Sequence, residues 1–393
     1  MLAGKRILIG IGGGIAVYRV AELVRLLIKA GAEVRCVMTR SACQFVSPLT
    51  FEALTGKEVH TELFDLTTER NMGHIQLARW ADAVVIAPAT ANILARLAYG
   101  IADDLLTTMM QVNKAPTLLA PAMNSSMWES DATRRNVEAL TTRGIRFIGP
   151  ESGQLACGEE GSGRLSEPEN IVSALLPLLT EQTLQDQRWV INAGPTAEAW
   201  DAVRLLTNRA SGKLGALLAS AAAVMGAEVA LIAGPGTPDA HPLVKRINVT
   251  SADEMLAACI DTAKDANTFI ATAAVSDFRF QETHSGKLKR NDTKSMNVEL
   301  IANPDIVAEV AAMYQRPSHV IAFAAESSNH TGYARSKLEQ KGVDAIVAND
   351  IGNMGSERAG GWWVTAEREV PIDSESKQAF AEQIIQHIME LES

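Results

Sequence analysis

The stretch RILIGIGGGIAVYRVAELVRLLIKAGAEVRCVMT, residues 6–39, decides the fold of the N-terminal half of the chain. A short β-rich run ends at Gly10, further glycines follow, and an apolar helical pattern then extends to about Ala30. Gly31 ends that helix, and Glu33–Thr39 has the composition of a second strand. A strand, a glycine loop, a helix and a strand in this order predict a βαβ unit with parallel strands.

A second unit of the same kind begins near the middle of the chain. Trp189–Ala193 is again β-rich, an alanine-rich helix opens at residues 211–213 and ends at Gly226, and the strand Glu228–Ala233 follows. Residues 182–188, between the two units, are polar and have no periodicity, so we expect a domain boundary there.

These patterns predict an α/β protein of two fused Rossmann-like three-layer domains with mostly parallel sheets. The first, flavodoxin-like domain is expected over residues 1–185 and the second over residues 186–393, because a chain of this length exceeds what one core usually holds. An amphipathic helix at about Ser376–Leu391 should pack on the second sheet. Further strands are expected at Ala83–Ala87, Thr117–Ala120, Phe269–Ala274, His319–Ala324 and Asp344–Ala348.

The composition argues against several classes of protein. Apolar residues make up 47% and charged residues 21% of the chain, which is ordinary for a globular protein and unlike a disordered or fibrous one. The net charge of −10 disfavours a nucleic-acid partner or an anionic membrane surface. None of the four cysteines forms a CxxC pair, so we expect neither a structural zinc site nor a disulfide framework. The N-terminus lacks the apolar core of a signal peptide, so we expect a cytoplasmic protein.

The first glycine loop suits one phosphate better than a dinucleotide. A dinucleotide fingerprint needs a third glycine where Ile15 stands, and an acid after the second strand, where Arg40 stands. A single phosphate at the helix N-terminus remains reasonable, since free backbone amides and the helix dipole attract it. The same glycines also suit a plain tight turn.

Three further segments place polar side chains where a hydrophobic core needs none. We expect each of them to follow a strand, at the ligand edge of a parallel sheet. They are APATAN at 87–92, DDLLTTMM at 103–110 and PAMNSSMW at 121–128. APATAN and PAMNSSMW, together with GGGIA at 12–16, GHI at 73–75 and LACGEEGSGRL at 155–165, make residues 1–175 resemble the homo-oligomeric flavin-containing cysteine decarboxylases.

This resemblance implies FMN as the cofactor and a cysteine acylated by phosphopantothenate as the substrate, with the flavin providing the electron sink for loss of CO2. His74 matches the histidine needed for the oxidative step, and Asn124, beside Met123, matches the asparagine that grips the substrate carboxylate. Cys157 matches the acid that protonates the enethiolate, a role open to a thiol with a pKa of about 8.5. The residues expected around FMN are Gly12, Gly13, Thr39, Thr90, Asn92 and Met109.

The second domain has its own glycine-containing segment, TNRASGKL at residues 207–214. It is not a Walker A loop, because Thr207 stands where the first glycine is needed and Leu214 stands where Ser or Thr should follow the lysine. From Trp189 onward the chain nevertheless resembles bacterial phosphopantothenate–cysteine ligase. The matching motifs are AGPTAEAWDAVRLLTNRASGKLG at 193–215, AAVSDF at 273–278, KLK at 287–289, NPDI at 303–306, FAAE at 323–326 and AND at 348–350.

The ligase resemblance implies amide formation with CTP and Mg²⁺, in which 4′-phosphopantothenate forms an acyl-cytidylate that the amine of cysteine then opens. Asn208 matches the asparagine that processes this intermediate, and Asp277 matches a residue near the metal and the nucleotide. Lys289 lies in a segment that resembles a cationic flap over the phosphates, and Lys337 and Lys341 share one helix face and match nucleotide contacts. The other substrate-binding residues implied are Ser211, Gly212, Ala271, Thr272, Ala273, Asn303, Pro304, Asp305, Ile306 and Phe323.

Together the two resemblances imply a bifunctional enzyme of coenzyme A biosynthesis, since the ligase product is the decarboxylase substrate. They also imply a homo-oligomer built from trimers, a dodecamer in fused proteins. Two alternatives remain: a regulatory flavoprotein subunit without catalysis, and a flavin prenyltransferase-like first domain. The former should lack Cys157 or Asn124 and the latter should lack the cysteine-containing flap segment, whereas this chain has all three.

Overall fold

The computed structural model describes residues 2–63, 73–154, 158–289, 296–326, 330–350 and 359–391. Contacts between Cα atoms group the chain into two compact units, Met1–Glu181 and Gln182–Ser393. Among the described helices, none combines the length and the apolar character that crossing a bilayer requires.

The first unit is a parallel sheet covered by helices on both faces. Within its described residues the sheet order is β2-β1-β3-β4-β5, with every neighbouring pair parallel, and β6 and β7 form a separate antiparallel hairpin. The elements in chain order are β1 (Arg6–Ile11), α1 (Val17–Lys29), β2 (Glu33–Met38), a 3₁₀ turn (Ala42–Gln44), α2 (Pro48–Thr55), α3 (His74–Trp80), β3 (Ala83–Ala89), α4 (Ala91–Tyr99), α5 (Leu105–Val112), β4 (Thr117–Pro121), α6 (Ser125–Glu129), α7 (Asp131–Thr142), β5 (Arg146–Phe147), β6 (Glu151–Gln154), β7 (Glu160–Arg164) and α8 (Pro168–Leu179).

Successive side chains of each strand point to opposite faces of the sheet, and this divides the core of the first unit into two layers. Ile7 and Ile9 of β1 pack with α1 and α8 on one face, whereas Leu8 packs with α4 and α5 on the other. The near-continuous apolar character of β1 follows from this burial on both faces, which is typical of a parallel sheet.

The second unit repeats this plan and adds an antiparallel edge. Its described strands run β12-β11-β8-β13-β16-β17-β18-β19, parallel as far as β17 and antiparallel across β18 and β19. The elements are β8 (Arg188–Ala193), β9 (Ala197–Ala199), β10 (Leu205–Thr207), α9 (Lys213–Val224), β11 (Glu228–Ala233), β12 (Lys245–Asn248), α10 (Ala252–Ala263), β13 (Thr268–Ala271), β14 (Phe278–Phe280), β15 (Leu300–Ala302), α11 (Ile306–Ala311), β16 (His319–Glu326), α12 (His330–Lys341), β17 (Ala345–Asp350), β18 (Ala359–Val364), β19 (Glu369–Ser374) and α13 (Lys377–Leu391).

Helices again cover both faces of the second sheet. Helices α9 and α13 share one core layer with Trp189 and Trp363, and α10, α11 and α12 form the other with Phe269. The predicted packing of the C-terminal helix on the second sheet is therefore confirmed.

The structure corrects two local predictions and adds elements that were not predicted. Asp103–Met110 follows helix α4 and not a strand, and most of it belongs to α5 (Leu105–Val112). Asp104 is the N-cap of α5, where its side chain accepts hydrogen bonds from the backbone and side chain of Thr107. Strand β13 ends at Ala271, three residues before the predicted end, and the chain beyond it stays beside the segment after β8 as far as an isolated bridge between Ala274 and Pro195. The hairpins β6–β7, β9–β10 and β14–β15 were also missed.

Candidate active sites

The glycine loop after β1 is packed too tightly for side chains at two positions. A Cβ atom on Gly12 would lie 2.2 Å from the carbonyl oxygen of Pro88, and one on Gly13 would lie 2.3 Å from Oγ of Ser41. Pro88 and Ser41 belong to the carboxyl ends of the two strands beside β1, so the loop is in contact with both neighbours. This close approach is the physical reason for consecutive glycines here.

A cavity of about 710 Å³ lies beside this loop, and we call it the N-terminal cavity. Its size is in the range that holds a cofactor or a small-molecule substrate. Its walls come from residues that follow β1, β2, β3 and β4 and from the hairpin β6–β7. The predicted residues that line it are Gly13, Thr90, Asn92, Met123 and Asn124.

The hairpin β6–β7 packs directly against the PAMN segment through two glycines. A Cβ atom on Gly163 would lie 2.1 Å from the carbonyl oxygen of Met123, and one on Gly161 would lie 2.4 Å from Oγ of Ser125. The backbone N–H of Met123 donates to the carbonyl of Gly163 at 2.9 Å. The glycines of the EGSGR stretch therefore let one wall of the cavity approach another.

Asn124 presents its amide to a carboxylate. Its Oδ1 accepts the backbone N–H of Ser126 at 2.9 Å, which caps α6, and its Nδ2 donates to Oε2 of Glu159 at 2.7 Å. The carbonyl end of the amide is thus used within its own loop, while the NH₂ end is directed at an acidic group.

The other residues predicted in the first unit either lie off the wall of the N-terminal cavity or fall outside the described residues. Thr39 is buried, and its hydroxyl donates to the carbonyl of Ile11 at 3.2 Å. Gly12 lies in the loop but is not on the cavity wall, and the side chain of Met109 is fully buried in the core between the sheet and the helices. His74 is the first residue of α3, but its side chain lies outside the described residues, as does the whole of Cys157.

Sequence reasoning missed several polar residues on this wall, among them a serine and two arginines. Ser41 follows the strand β2, a position that could have drawn attention to it. Arg19 on α1 and Arg164 at the end of β7 also line the cavity. The position of Arg164 depends on how the hairpin folds back, which the sequence pattern does not reveal.

A second cavity of about 660 Å³, the C-terminal cavity, lies in the second unit at the carboxyl ends of β8, β13 and β16. Gly212 has φ of +66° as the N-cap of α9, a conformation that favours glycine. A Cβ atom on Gly215, one turn into that helix, would lie 2.4 Å from Oγ1 of Thr272, so the helix approaches the strand-end loop closely. The predicted residues on the wall are Ser211, Gly212, Ala271, Thr272, Ala273, Asp277, Asn303, Pro304, Asp305, Ile306, Phe323, Lys337 and Lys341.

The charge of the C-terminal cavity suits a polyphosphate. Its described lining contains five basic side chains and two carboxylates. Nζ of Lys341 lies 2.9 Å from Oδ2 of Asp305, which ties α12 to the N-cap of α11. The basic residues are Arg209, Lys213, Lys337, Lys341 and Lys377, and the acidic ones are Asp277 and Asp305.

Asn208 and Lys289 are not on the cavity wall. Nδ2 of Asn208, which is exposed, donates at 2.9 Å to the carbonyl of Ala274, which does line the cavity, so Asn208 is joined to the wall by this bond. Lys289 is exposed and follows Leu288, whose backbone N–H donates to Oδ2 of Asp201 at 3.1 Å. The described part of the cationic segment, residues 285–289, is therefore held at Leu288, and Lys289 does not reach the cavity wall.

Two asparagines of the C-terminal cavity were also missed. Asn192 is buried, and its Oδ1 accepts the backbone N–H of Ala273 at 3.0 Å, which fixes the loop after β13. Asn349, in the AND motif, has a buried Oδ1 without a hydrogen-bond partner among the described residues. Both follow or end predicted strands, and that position is the signal that could have found them.

The cysteines outside the matched motifs behave as core residues where they are buried. Cys36 and Cys259 are nearly inaccessible, and burial raises the pKa of each thiol to about 12. Cys43 is partly exposed, and burial raises its pKa as well. All three thiols are therefore protonated and poorly nucleophilic at neutral pH.

Comparisons with known proteins agree with the division of the chain into two units. The family described as Flavoprotein matches residues 1–180, and the DNA/pantothenate metabolism flavoprotein C-terminal domain family matches residues 184–391. The chain is 43% identical to the coenzyme A biosynthesis bifunctional protein CoaBC of Vibrio vulnificus strain YJ016, over 99% of this chain and 98% of that protein. It is 48% identical to the CoaBC protein of Haemophilus influenzae, over 89% and 88% of the two chains. A crystal structure of the C-terminal domain of a CoaBC protein aligns with a TM-score of 0.47 and 33% identity, covering 54% of this chain and 99% of that one.

Proposed function

Because the chain belongs to the family of bifunctional coenzyme A biosynthesis proteins and is a decarboxylase and a ligase, we propose that it makes 4′-phosphopantetheine in two steps. The second unit joins 4′-phosphopantothenate to cysteine with CTP, and the first decarboxylates the product with FMN. The observation that carries this proposal is that the N-terminal and C-terminal cavities each bring together several of the residues implied for the corresponding reaction.

In the ligase step, the C-terminal cavity holds CTP and 4′-phosphopantothenate. The basic side chains along its wall, among them Lys337 and Lys341, balance the charge of the triphosphate. The backbone around Asn303–Ile306 and the ring of Phe323 hold the cytidine. Asn208 acts after the acyl-cytidylate has formed, and Lys289 closes over the phosphates as pyrophosphate leaves.

Mg²⁺ in this step would arrive with the nucleotide. Among the described residues, no cluster of three or more acidic, histidine or cysteine side chains offers a metal cage. Of the two carboxylates on the wall, Asp305 pairs with Lys341, so the exposed carboxylate of Asp277 suits an ion that keeps most of its ligands from water and phosphate oxygens.

In the decarboxylation step, the N-terminal cavity holds FMN and the acylated cysteine. The tight loop at Gly12 and Gly13, the amides at the start of α1 and the hydroxyls of Ser41 and Thr90 are suited to one phosphate. FMN, when bound, supplies the electron sink for loss of CO2. The NH₂ group of Asn124 binds the substrate carboxylate, and the thiol of Cys157 returns a proton to the product carbon.

Further proposals concern the whole chain. We propose that the domains join within residues 182–188 and that the protein is a cytoplasmic homo-oligomer built from trimers. The high identity to CoaBC proteins along nearly the full length supports a shared organisation.

The test is a spectrum followed by a product assay. The purified protein should be yellow and should release FMN, not FAD, on denaturation. With 4′-phosphopantothenate, cysteine and CTP, it should release CMP, pyrophosphate and CO2 and form 4′-phosphopantetheine. A colourless protein that cannot be reconstituted with FMN, or one that forms no amide with CTP, would contradict the proposal.

A further inference from the structure

Two arginines on the wall of the N-terminal cavity share one carboxylate. The guanidinium NH2 groups of Arg19, on α1, and Arg164, at the end of β7, each bind the carboxylate of Glu167, just before α8. A second nitrogen of Arg19 donates to the carbonyl of Leu165 at 3.3 Å. Glu167 thus holds two cations from separate elements side by side.

This arrangement leaves positive charge on the cavity wall. The nearby carboxylate of Glu151 is directed elsewhere, because its Oε1 accepts the backbone N–H of Glu167 at 3.2 Å and Nδ2 of Asn170 at 3.0 Å. The Arg164 side chain is 41% exposed against 18% for Arg19, so Arg164 is the one that has room for an additional anion. Arginine is well suited to this task, since its planar fork binds phosphate oxygens in pairs.

Under the proposed function, the same cavity must receive two phosphates, one from FMN and one from the substrate. The glycine loop offers backbone amides and hydroxyls to the first, whereas the arginine pair brings guanidinium groups to the wall from the first turn of α1 and from the hairpin. We propose that Arg164, held beside Arg19 by Glu167, binds the 4′-phosphate of phosphopantothenoylcysteine and determines the preference for the phosphorylated substrate. The inference rests on the proposed decarboxylase function.

The experiment compares Arg164→Gln with the wild type on two substrates, phosphopantothenoylcysteine and its dephosphorylated form. We expect KM for the phosphorylated substrate to rise about 10- to 100-fold, as for loss of a hydrogen bond to a charged group, with kcat and the KM for the dephosphorylated substrate nearly unchanged. Arg164→Lys should recover part of the loss because it keeps the charge. Arg25→Gln is the matched control, since Arg25 lies on α1, pairs with Glu22 and is 70% exposed.

Flavin content is measured as the ratio of absorbance at the flavin band to that of the protein. It distinguishes a role of Arg164 at the FMN phosphate from a role at the substrate phosphate. Unchanged flavin content together with the selective rise in KM supports the proposal. Loss of flavin in Arg164→Gln would assign the arginine to the FMN phosphate and overturn it, as would an equal change on both substrates or no change at all. A wild-type protein that decarboxylates neither substrate would instead refute the proposed function.

Discussion

Asn208 and Lys289 both lie off the wall of the C-terminal cavity, but in different surroundings. Asn208 is tied to the wall by its hydrogen bond to Ala274, whereas Lys289 is exposed on the cationic segment. The first can influence a bound intermediate through small movements of the wall. The second must move to reach a phosphate, so we expect the two residues to act at different steps.

The prediction is that Lys289→Gln and Asn208→Asp separate these steps. Lys289→Gln should slow acyl-cytidylate formation about 10²–10³-fold, the effect of removing one positioned electrostatic donor. Asn208→Asp should form the acyl-cytidylate and stop before the amide. Pyrophosphate release measured without cysteine should therefore be small in the first variant and approach one equivalent per site in the second.

Lys287→Gln is the matched control, because Lys287 is the other lysine of the KLK motif and is also exposed. It should retain near-normal pyrophosphate release. A full burst from Lys289→Gln, or a strong defect in Lys287→Gln alone, would show that the wrong lysine of the motif was chosen. Absence of the intermediate in Asn208→Asp would remove that residue from the later step.

The sequence predicts a site residue well where the position of the backbone alone puts that residue on the cavity wall. It predicts less well where the packing of the side chain determines whether the residue faces the cavity. Gly13, Thr90 and Asn92 follow predicted strands, and the structure places them on one cavity wall. Thr39 follows a strand too, but its hydroxyl is taken up by the carbonyl of Ile11. Which polar group turns inward depends on such local hydrogen bonds, and a strand pattern carries no information about them.

At the scale of elements, one buried carboxylate anchors the cationic segment. Asp201 is 5% exposed, and its Oδ1 accepts the backbone N–H groups of Val203 and Arg204 at 2.8 and 2.7 Å. Its Oδ2 accepts the backbone N–H of Leu288 at 3.1 Å. Burial alone would raise the pKa of Asp201, but the three backbone donors outweigh it, so the pKa is lowered and the group is ionised at neutral pH.

We predict that Asp201→Asn loosens this segment and weakens CTP binding. The neutral amide keeps its carbonyl as an acceptor but loses the charge and one acceptor, so KM for CTP should rise several-fold. The stabilisation that the ionised Asp201 carboxylate provides is lost only when the pH falls through the pKa of Asp201 in the folded protein. Because that pKa is lowered, the wild type should keep its anchor down to a pH below the ordinary pKa of about 3.9. The difference between the two proteins should therefore be constant from about pH 6 to 8.

The measurement is the ligase rate against CTP concentration across that pH range. Asp239→Asn is the control, since its carboxylate is 98% exposed and pairs with Arg246 in the same unit. Decarboxylation of supplied phosphopantothenoylcysteine should not change in either variant. An unaltered KM for CTP in Asp201→Asn would mean that the anchor does not serve the ligase.

Long apolar elements were predictable and short polar ones were not. Glu228–Ala233 was predicted with its observed bounds, because buried parallel strands have a continuous apolar signal. The hairpin β6–β7 reads ESGQ and EGSGR, with neither alternation nor β-branched residues, so no pattern predicts it. Its conformation comes from contact with the PAMN segment, where the glycines are required.

At the scale of the whole molecule, each unit has a hydrophobic core of its own. The core layers of the first unit draw on residues between Leu2 and Leu179, and those of the second on residues between Leu184 and Leu391. A separate core in each half is what independent domains require. We therefore expect a substitution in one cavity to leave the chemistry of the other cavity intact.

The resulting prediction is complementation between two inactive full-length variants. Cys157→Ser should ligate but fail to form 4′-phosphopantetheine, because the enethiolate lacks its proton donor. Asn208→Asp should decarboxylate supplied phosphopantothenoylcysteine but make none from 4′-phosphopantothenate, cysteine and CTP. Neither variant alone should convert these three substrates to 4′-phosphopantetheine, but an equimolar mixture should do so after a lag, while the ligated intermediate accumulates and diffuses to the second protein. Separate assays of the two half-reactions verify that each variant keeps its intact activity. If both half-reactions persist and the mixture still yields no 4′-phosphopantetheine, the intermediate does not pass through solution, and the two units must act together in one chain.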